Sequence, residues 1–275
     1  MKITHRIAFS PSAKPEPAAL LAARGHAIAG PIAVVVLSAD EYADLEPKLT
    51  RWRVGHLAQT HFTPAEHRDA HWSVLAARWD HGYPEPDDGD FGYLAATYDL
   101  SAYCSTCGVG ARQNAPFRMT REPKWGKRGV LQLHWVVDEV FVTPDVHAAC
   151  FEPHGVACRP VLDRRGRAEL SSVVQLVAEE RRPIRLDGIA TETCGACGRE
   201  KVPPDLSGFF PGFTEEPSAP IARTASWIGS VASAGQPVIV SAPIVKALLD
   251  SKVRGAVLTP MGARREGGRA SPEDV

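Results

Sequence analysis

Cys104-Ser105-Thr106-Cys107-Gly108 and Cys194-Gly195-Ala196-Cys197-Gly198 repeat one short pattern, C-x-x-C-G, at two distant places in the chain. Two intervening residues let both sulfurs of a pair reach one ion, and the trailing glycine permits the tight turn beneath them. Together Cys104, Cys107, Cys194 and Cys197 supply four thiolates, the full ligand set of a closed tetrahedral zinc site. With 86 residues between the pairs, a shared ion ties together segments remote in sequence. Closing such a loop costs on the order of a few kcal/mol, whereas structural zinc supplies about 10–16 kcal/mol in small domains.

Two other chemistries use paired cysteines. A thioredoxin-like redox pair lies at a strand-to-helix junction. Here each pair runs into glycine and loop-like sequence, Val109-Gly110 or Arg199-Glu200. Disulfides need an oxidising compartment. Residues Met1 to Ser10 read as a strand broken by Lys2, His5 and Arg6 rather than as a secretory leader. The pattern therefore predicts one structural Zn2+ on the four cysteines.

The chain has 275 residues, enough for a sizeable core and two domains or subdomains. Lys and Arg number 31 against 32 Asp and Glu, so no global charge draws it to nucleic acid or membrane. The longest apolar stretch, Ile28 to Leu37, contains Gly30 and Pro31 and is too short to span a bilayer. Without a leader or a span, the expected location is the cytoplasm, and no membrane partner is expected.

The fold class read from the chain is α+β, or mixed α/β. A zinc-ribbon-like double-knuckle site joins strand–helix–strand modules and follows an N-terminal α/β subdomain. That subdomain occupies residues 1–90, the zinc-binding domain 91–261, and a disordered polar tail 262–275. Within the first, Ile3 to Phe9 and Ile32 to Leu37 read as strands and Pro17 to Arg24 as a short helix. Ser38 with Glu41 forms a capping box for a helix carrying Tyr42, Leu45 and Leu49 on one face. Thr63, Pro64 and Glu66 predict a second capped helix running to about Trp79, and Phe91 to Tyr98 a strand. Further on, Gly129 to Val137 reads as one strand, Thr143-Pro144 as the cap of a short helix ending near Gly155, and Asp163 to Arg167 as a hairpin turn. The proline-rich stretch from Val202 to Arg223 reads as an irregular connector. The run from Val140 to Pro160 echoes that from Val238 to Pro260: strand, Ser/Thr cap beside proline, short helix, glycine, strand.

Other side chains invite chemistry less specifically. His67 and His71 stand four apart on the predicted helix and could share a metal, but Arg68 occupies the position a zinc peptidase needs for its glutamate. Arg112, Arg118, Arg121, Lys124, Lys127 and Arg128 surround Trp125, a composition that can grip a phosphate backbone. Glu85, Asp87, Asp88 and Asp90 make an acidic loop suited to steering a cationic partner. Cys150 and Cys158 read as core thiols. Asp138-Glu139 beside His134 hint at acid–base work, yet no G-x-S-x-G elbow, G-x-G-x-x-G loop or Walker pattern accompanies them. No catalytic residues are assigned.

The paired C-x-x-C-G motifs, the proline-rich stretch after the second, and the closing strand–helix–strand from Pro237 to Met261 resemble the double-CXXCG motif family. The resemblance covers about residues 95 to 261. Some members of that bacterial family are immunity proteins against contact-delivered toxins, and their cysteines are expected to bind zinc, which maps onto Cys104, Cys107, Cys194 and Cys197. The extra N-terminal residues and the long basic segment after the first knuckle depart from the pattern. The resemblance implies a non-catalytic, zinc-stabilised protein that binds a protein partner, a cognate toxin. The alternative is a zinc-ribbon nucleic-acid-binding protein using Arg112 to Arg128.

Overall fold

A computed structural model describes residues 1–87, 91–204, 207–230 and 233–262. The chain is a mixture of many strands and few helices, divided into two compact units. The first comprises Met1–Thr63 with a short return ending at Gly208, and the second runs from Pro64 to Pro204 and resumes at Phe209. The division thus falls after Thr63 rather than at residue 90, because the residues from Pro64 onward build the second unit's sheet.

In the first unit Lys2–Phe9 lies between Ala33–Ser38 and His56–His61, antiparallel to both. One face of this sheet buries Ile7, Val35 and Leu37 against Leu21 of helix Pro15–Ala23 and Tyr42, Leu45 and Leu49 of helix Ala39–Arg51. The anticipated capping box is present. The Ser38 hydroxyl accepts from the Glu41 amide at 3.2 Å, and the Glu41 carboxylate accepts from the Ser38 amide at 2.9 Å.

The second unit carries two larger sheets. One runs in the order Arg118–Met119, Cys158–Asp163, Glu169–Leu176, Val136–Val142, Val130–Leu133. It is buried on both faces: Val140, Val142 and Leu176 point into one core, Leu131, Phe141 and Val173 into another. That double burial is why the second half of Val136–Val142, Val140-Phe141-Val142, is continuously apolar instead of alternating. The other sheet runs Arg181–Arg182, Ile221–Thr224, Val238–Ser241, Trp72–Ala77, Ala256–Gly262, Phe210–Pro211.

The sequence echo has a structural counterpart. Val136–Val142, helix Pro144–Cys150 and Cys158–Asp163 form one strand–helix–strand module, and Glu169–Leu176 fits antiparallel between its two strands. Val238–Ser241, helix Ala242–Asp250 and Ala256–Gly262 form the other, with Trp72–Ala77 antiparallel in the middle. Both helices share one core through Cys150, Ile244, Val245 and Leu248. Thr143 caps its helix by accepting from the Val146 amide, whereas Ser241 stands at the equivalent position and makes no capping bond.

Several local expectations are corrected. The helix from Thr63 ends at Asp69, and Trp72–Ala77 is a strand. Pairing along both of its edges outweighs the helical reading, and it buries Ser73 and Leu75 completely or nearly so. Conversely Gly92–Thr97 is helical, following Phe91 in the left-handed region, and only Tyr98–Asp99 is extended. Leu94, Ala95 and Ala96 are good helix formers, which accounts for the difference. The single strand expected over Gly129 to Val137 is a hairpin, with Leu133 opposite Val136 across His134-Trp135. That turn carries no local signal, having neither glycine nor asparagine. Trp135 itself takes φ of 67°, a left-handed conformation costing about 1–2 kcal/mol for a residue with a side chain. Asp88, Asp90 and the tail beyond Gly262 lie outside the described residues.

Candidate metal centre

The first C-x-x-C-G segment caps a two-stranded ribbon, and the second caps the antiparallel pair at the edge of a four-stranded sheet. The first lies between Tyr98–Asp99 and Arg112–Gln113, which pair antiparallel with Asp99 opposite Arg112. The second lies between Glu192–Thr193 and Glu200–Val202, paired with Thr193 opposite Glu200. The two turns are built alike. The Cys104 amide donates to the Val109 carbonyl at 2.9 Å and Gly108 donates to Cys104 at 2.8 Å. Likewise Cys194 donates to Arg199 at 2.9 Å and Gly198 to Cys194 at 2.8 Å. Gly108 and Gly198 have φ of 73° and 71°, where a side chain would strain the turn. Gly110 has a stricter need: a Cβ there would lie 2.0 Å from the Ala102 carbonyl oxygen. The knuckles are also joined directly, since Arg199 Nη1 donates to the Val109 carbonyl at 3.3 Å.

These constraints bring all four sulfurs within 4.8 Å of one another. Cys107 Sγ and Cys197 Sγ are 3.6 Å apart although 90 positions separate them in sequence. A tetrahedral site with metal–sulfur bonds of about 2.3 Å requires sulfurs about 3.8 Å apart, so the donors fit a single ion. A disulfide needs about 2.05 Å, and all six cysteines are free thiols here. Cys107 and Cys194 are buried, Cys104 is half-buried and Cys197 is exposed; Val109, Trp227 and Ala234 pack around them.

The electrostatics suit a cation. Backbone amides of Cys107 and Thr106 aim at Cys104 and bring its thiol down to about 6. Amides of Ala196 and then Cys197 lower Cys194 in the same way. Burial, followed by the neighbouring sulfurs, pushes Cys107 up. Amide donors favour thiolates while crowding opposes having four of them, and a divalent ion resolves that conflict. The four-cysteine group can therefore hold a metal ion, and the paired ribbons are compatible with a zinc-ribbon-like site.

Other sequence candidates separate. His67 lies on the short helix and His71 beyond its end, so they do not share a helical face. Among the described residues, the four cysteines are the one cluster of three or more metal-ligating groups. Within the basic segment, Trp125 is committed to the fold: its Nε1 donates to the Ser172 carbonyl at 2.8 Å and its ring packs edge-on against Trp79, 5.8 Å away. Arg128 lies over Trp79 at 4.7 Å. Glu85, assigned to a steering loop, is buried and accepts from the Thr120 hydroxyl at 2.7 Å. Cys150 is a core thiol, but Cys158 opens an exposed strand end.

What the sequence did not disclose is a cavity of about 990 Å3 beside the first knuckle. Phe91 and Trp135 stand half-exposed at its rim, and buried Tyr93 and Gln236 lie deeper. Glu139 and Arg223, both buried, form an ion pair at 2.6 Å in its wall. Arg223 also donates to the Ala178 carbonyl at 2.8 Å, and Gln175 donates to Glu139 at 2.7 Å. Burial raises Glu139, while Glu139 and Asp138 hold Arg223 protonated. No protein-family model, curated protein or solved structure matches this chain. No helix among the described residues is long and apolar enough to cross a membrane.

Proposed function

We propose that the chain is a non-catalytic, zinc-stabilised protein-binding protein, and that its partner is a bacterial toxin which it neutralises by occlusion. The observation that carries the structural half is the convergence of Cys104, Cys107, Cys194 and Cys197 within 4.8 Å, from knuckles of identical hydrogen bonding. Bound there, one Zn2+ neutralises the crowded thiolates and fastens the two ribbons to each other. Thiols kept free for that purpose belong in a reducing compartment.

The binding half rests on the resemblance to the double-CXXCG family and on surface composition. Tyr83, Phe91, Trp135 and Val137 are all about half exposed, and the three rings touch at centroid distances of 4.4 Å and 4.9 Å. Clustered exposed aromatics mark interaction surfaces, whose centres are enriched in such side chains. The nucleic-acid alternative is less well supported, because Trp125 is already packed and hydrogen-bonded.

Metal analysis of the purified protein should find one zinc per chain, falling to none when Cys194 and Cys197 are both changed to serine. Co-expression with a toxin encoded beside its gene should restore growth, and the Trp135→Ala, Phe91→Ala double variant should lose that rescue. Absence of zinc removes the structural half of the reading; failure to bind any such neighbour removes the other.

A further inference from the structure

The cavity beside the first knuckle carries a combination of groups that a metal clip does not need. We propose that it is a binding site for a small planar ring bearing a negative charge, either a nucleotide-like phosphate or an aromatic carboxylate. Its volume of about 990 Å3 stands at the upper end of the ~300–1,000 Å3 typical of small-molecule sites. Tyr93, Tyr103, Trp135 and Trp227 are among the residues that line it. Trp135 is held half-exposed on a left-handed turn residue, where the backbone alone would favour glycine. Backbone strain retained to present a large ring is the pattern of a ligand-contacting position.

The charge balance supplies the second half of the specificity. Arg112, Arg181 and Arg223 line the cavity with Asp138 and Glu139. Glu139 is taken by Arg223, and Asp138 accepts from the Gln236 amide at 3.0 Å. At the edge, Arg159 and Glu179 pair with each other at 3.1 Å. Among the described residues Arg181 is held through Nε alone, which donates to Gln236 Oε1 at 2.9 Å and leaves its terminal nitrogens available. The side chain of Arg112 has no hydrogen bond or ion pair there, and Asp99, opposite it on the ribbon, gives both carboxylate oxygens to Ser101. Arg181 is solvent-exposed overall. Partial burial, then repulsion from Arg223 and Arg112, lowers its pKa while Glu139 and Asp138 oppose the shift, so an anion seated beside the three guanidinium groups would add to that compensation. Charge-assisted bonds to guanidinium are about twice as strong as neutral ones, and the adjacent rings would stack on the ligand's plane.

Calorimetric titration of the full chain, with metal content measured first, tests this using adenosine 5′-monophosphate for the phosphate and indole-3-acetate for the carboxylate. At least one should bind saturably at a single site, and Arg181→Met and Trp135→Gly should each weaken it about tenfold or more. Trp135→Gly removes the ring where glycine suits the backbone, so a retained melting transition separates lost binding from lost fold. If the monophosphate binds, adenosine should bind about tenfold more weakly. No heat from either anion up to about 10 mM, or binding untouched by both substitutions, overturns the proposal. The readout requires no toxin, so this inference and the partner reading fail separately.

Discussion

Glu180 shows how one carboxylate can organise a connector that looks irregular in sequence. It accepts from the Ser218 amide at 3.1 Å, the Ala219 amide at 2.7 Å and Arg182 Nε at 2.7 Å. The Ser218 and Ala219 amides in particular bring its pKa from an ordinary 4.5 to about 2. A depressed folded-state pKa means stability that is fully present above about 4.5 and is lost as pH falls toward 2. Glu180→Gln should therefore lower the melting temperature at pH 7, with the gap from the parent closing between pH 4.5 and 2. A constant gap across that range would show that ionisation of Glu180 is irrelevant. The Arg223–Glu139 pair lies at the opposite extreme, enclosed and sharing its partners with Gln175 and Ala178. Nothing local marks it, because its members stand 84 positions apart.

Among the elements, Trp72–Ala77 is the most informative. It occupies the middle of its sheet, and Ser73 is fully buried there with a hydroxyl that has no partner among the described residues. Removing an unsatisfied buried hydroxyl should be neutral or favourable, so Ser73→Ala should leave stability unchanged or raise it by about 1 kcal/mol in denaturant unfolding. A clear loss would mean that the hydroxyl has a bridging water. The same strand explains which parts of the fold were legible. Ser38 with Glu41, and the turn from Asp163 to Arg167, declare themselves within a few residues because caps and hairpins are local chemistry. The four cysteines were legible for a similar reason: each knuckle is a local motif, and matching motifs anticipate that their sulfurs converge. Strand identity at Trp72–Ala77 depends on partners near residues 240 and 258, and no local pattern encodes them. The cavity was hidden likewise, since Tyr93, Arg112, Trp135, Arg181 and Gln236 come from separate segments.

At the scale of the whole molecule, the two units have separate cores, one around Leu21, Leu37 and Leu45 and one around Leu75, Val240 and Ile244. If the four-cysteine group holds the proposed ion, a strong chelator should act on the second unit first. Amide exchange should quicken in Tyr98–Asp99, Arg112–Gln113 and Glu200–Val202, while Lys2–Phe9 keeps its protection. Uniform acceleration throughout the chain would mean that the centre underwrites global folding instead.

The placement of Trp72–Ala77 also sets a timetable. One of this strand's flanking partners, Ala256–Gly262, is translated only about 180 residues after it. At about 5–20 residues per second the nascent strand waits on the order of ten seconds or more with that edge uncovered. Both cysteine pairs emerge during this interval, so a newly made chain presents reactive sulfur and a sticky β-edge together. Chaperone shielding would matter most in that interval, before the partner strand arrives to cover the edge.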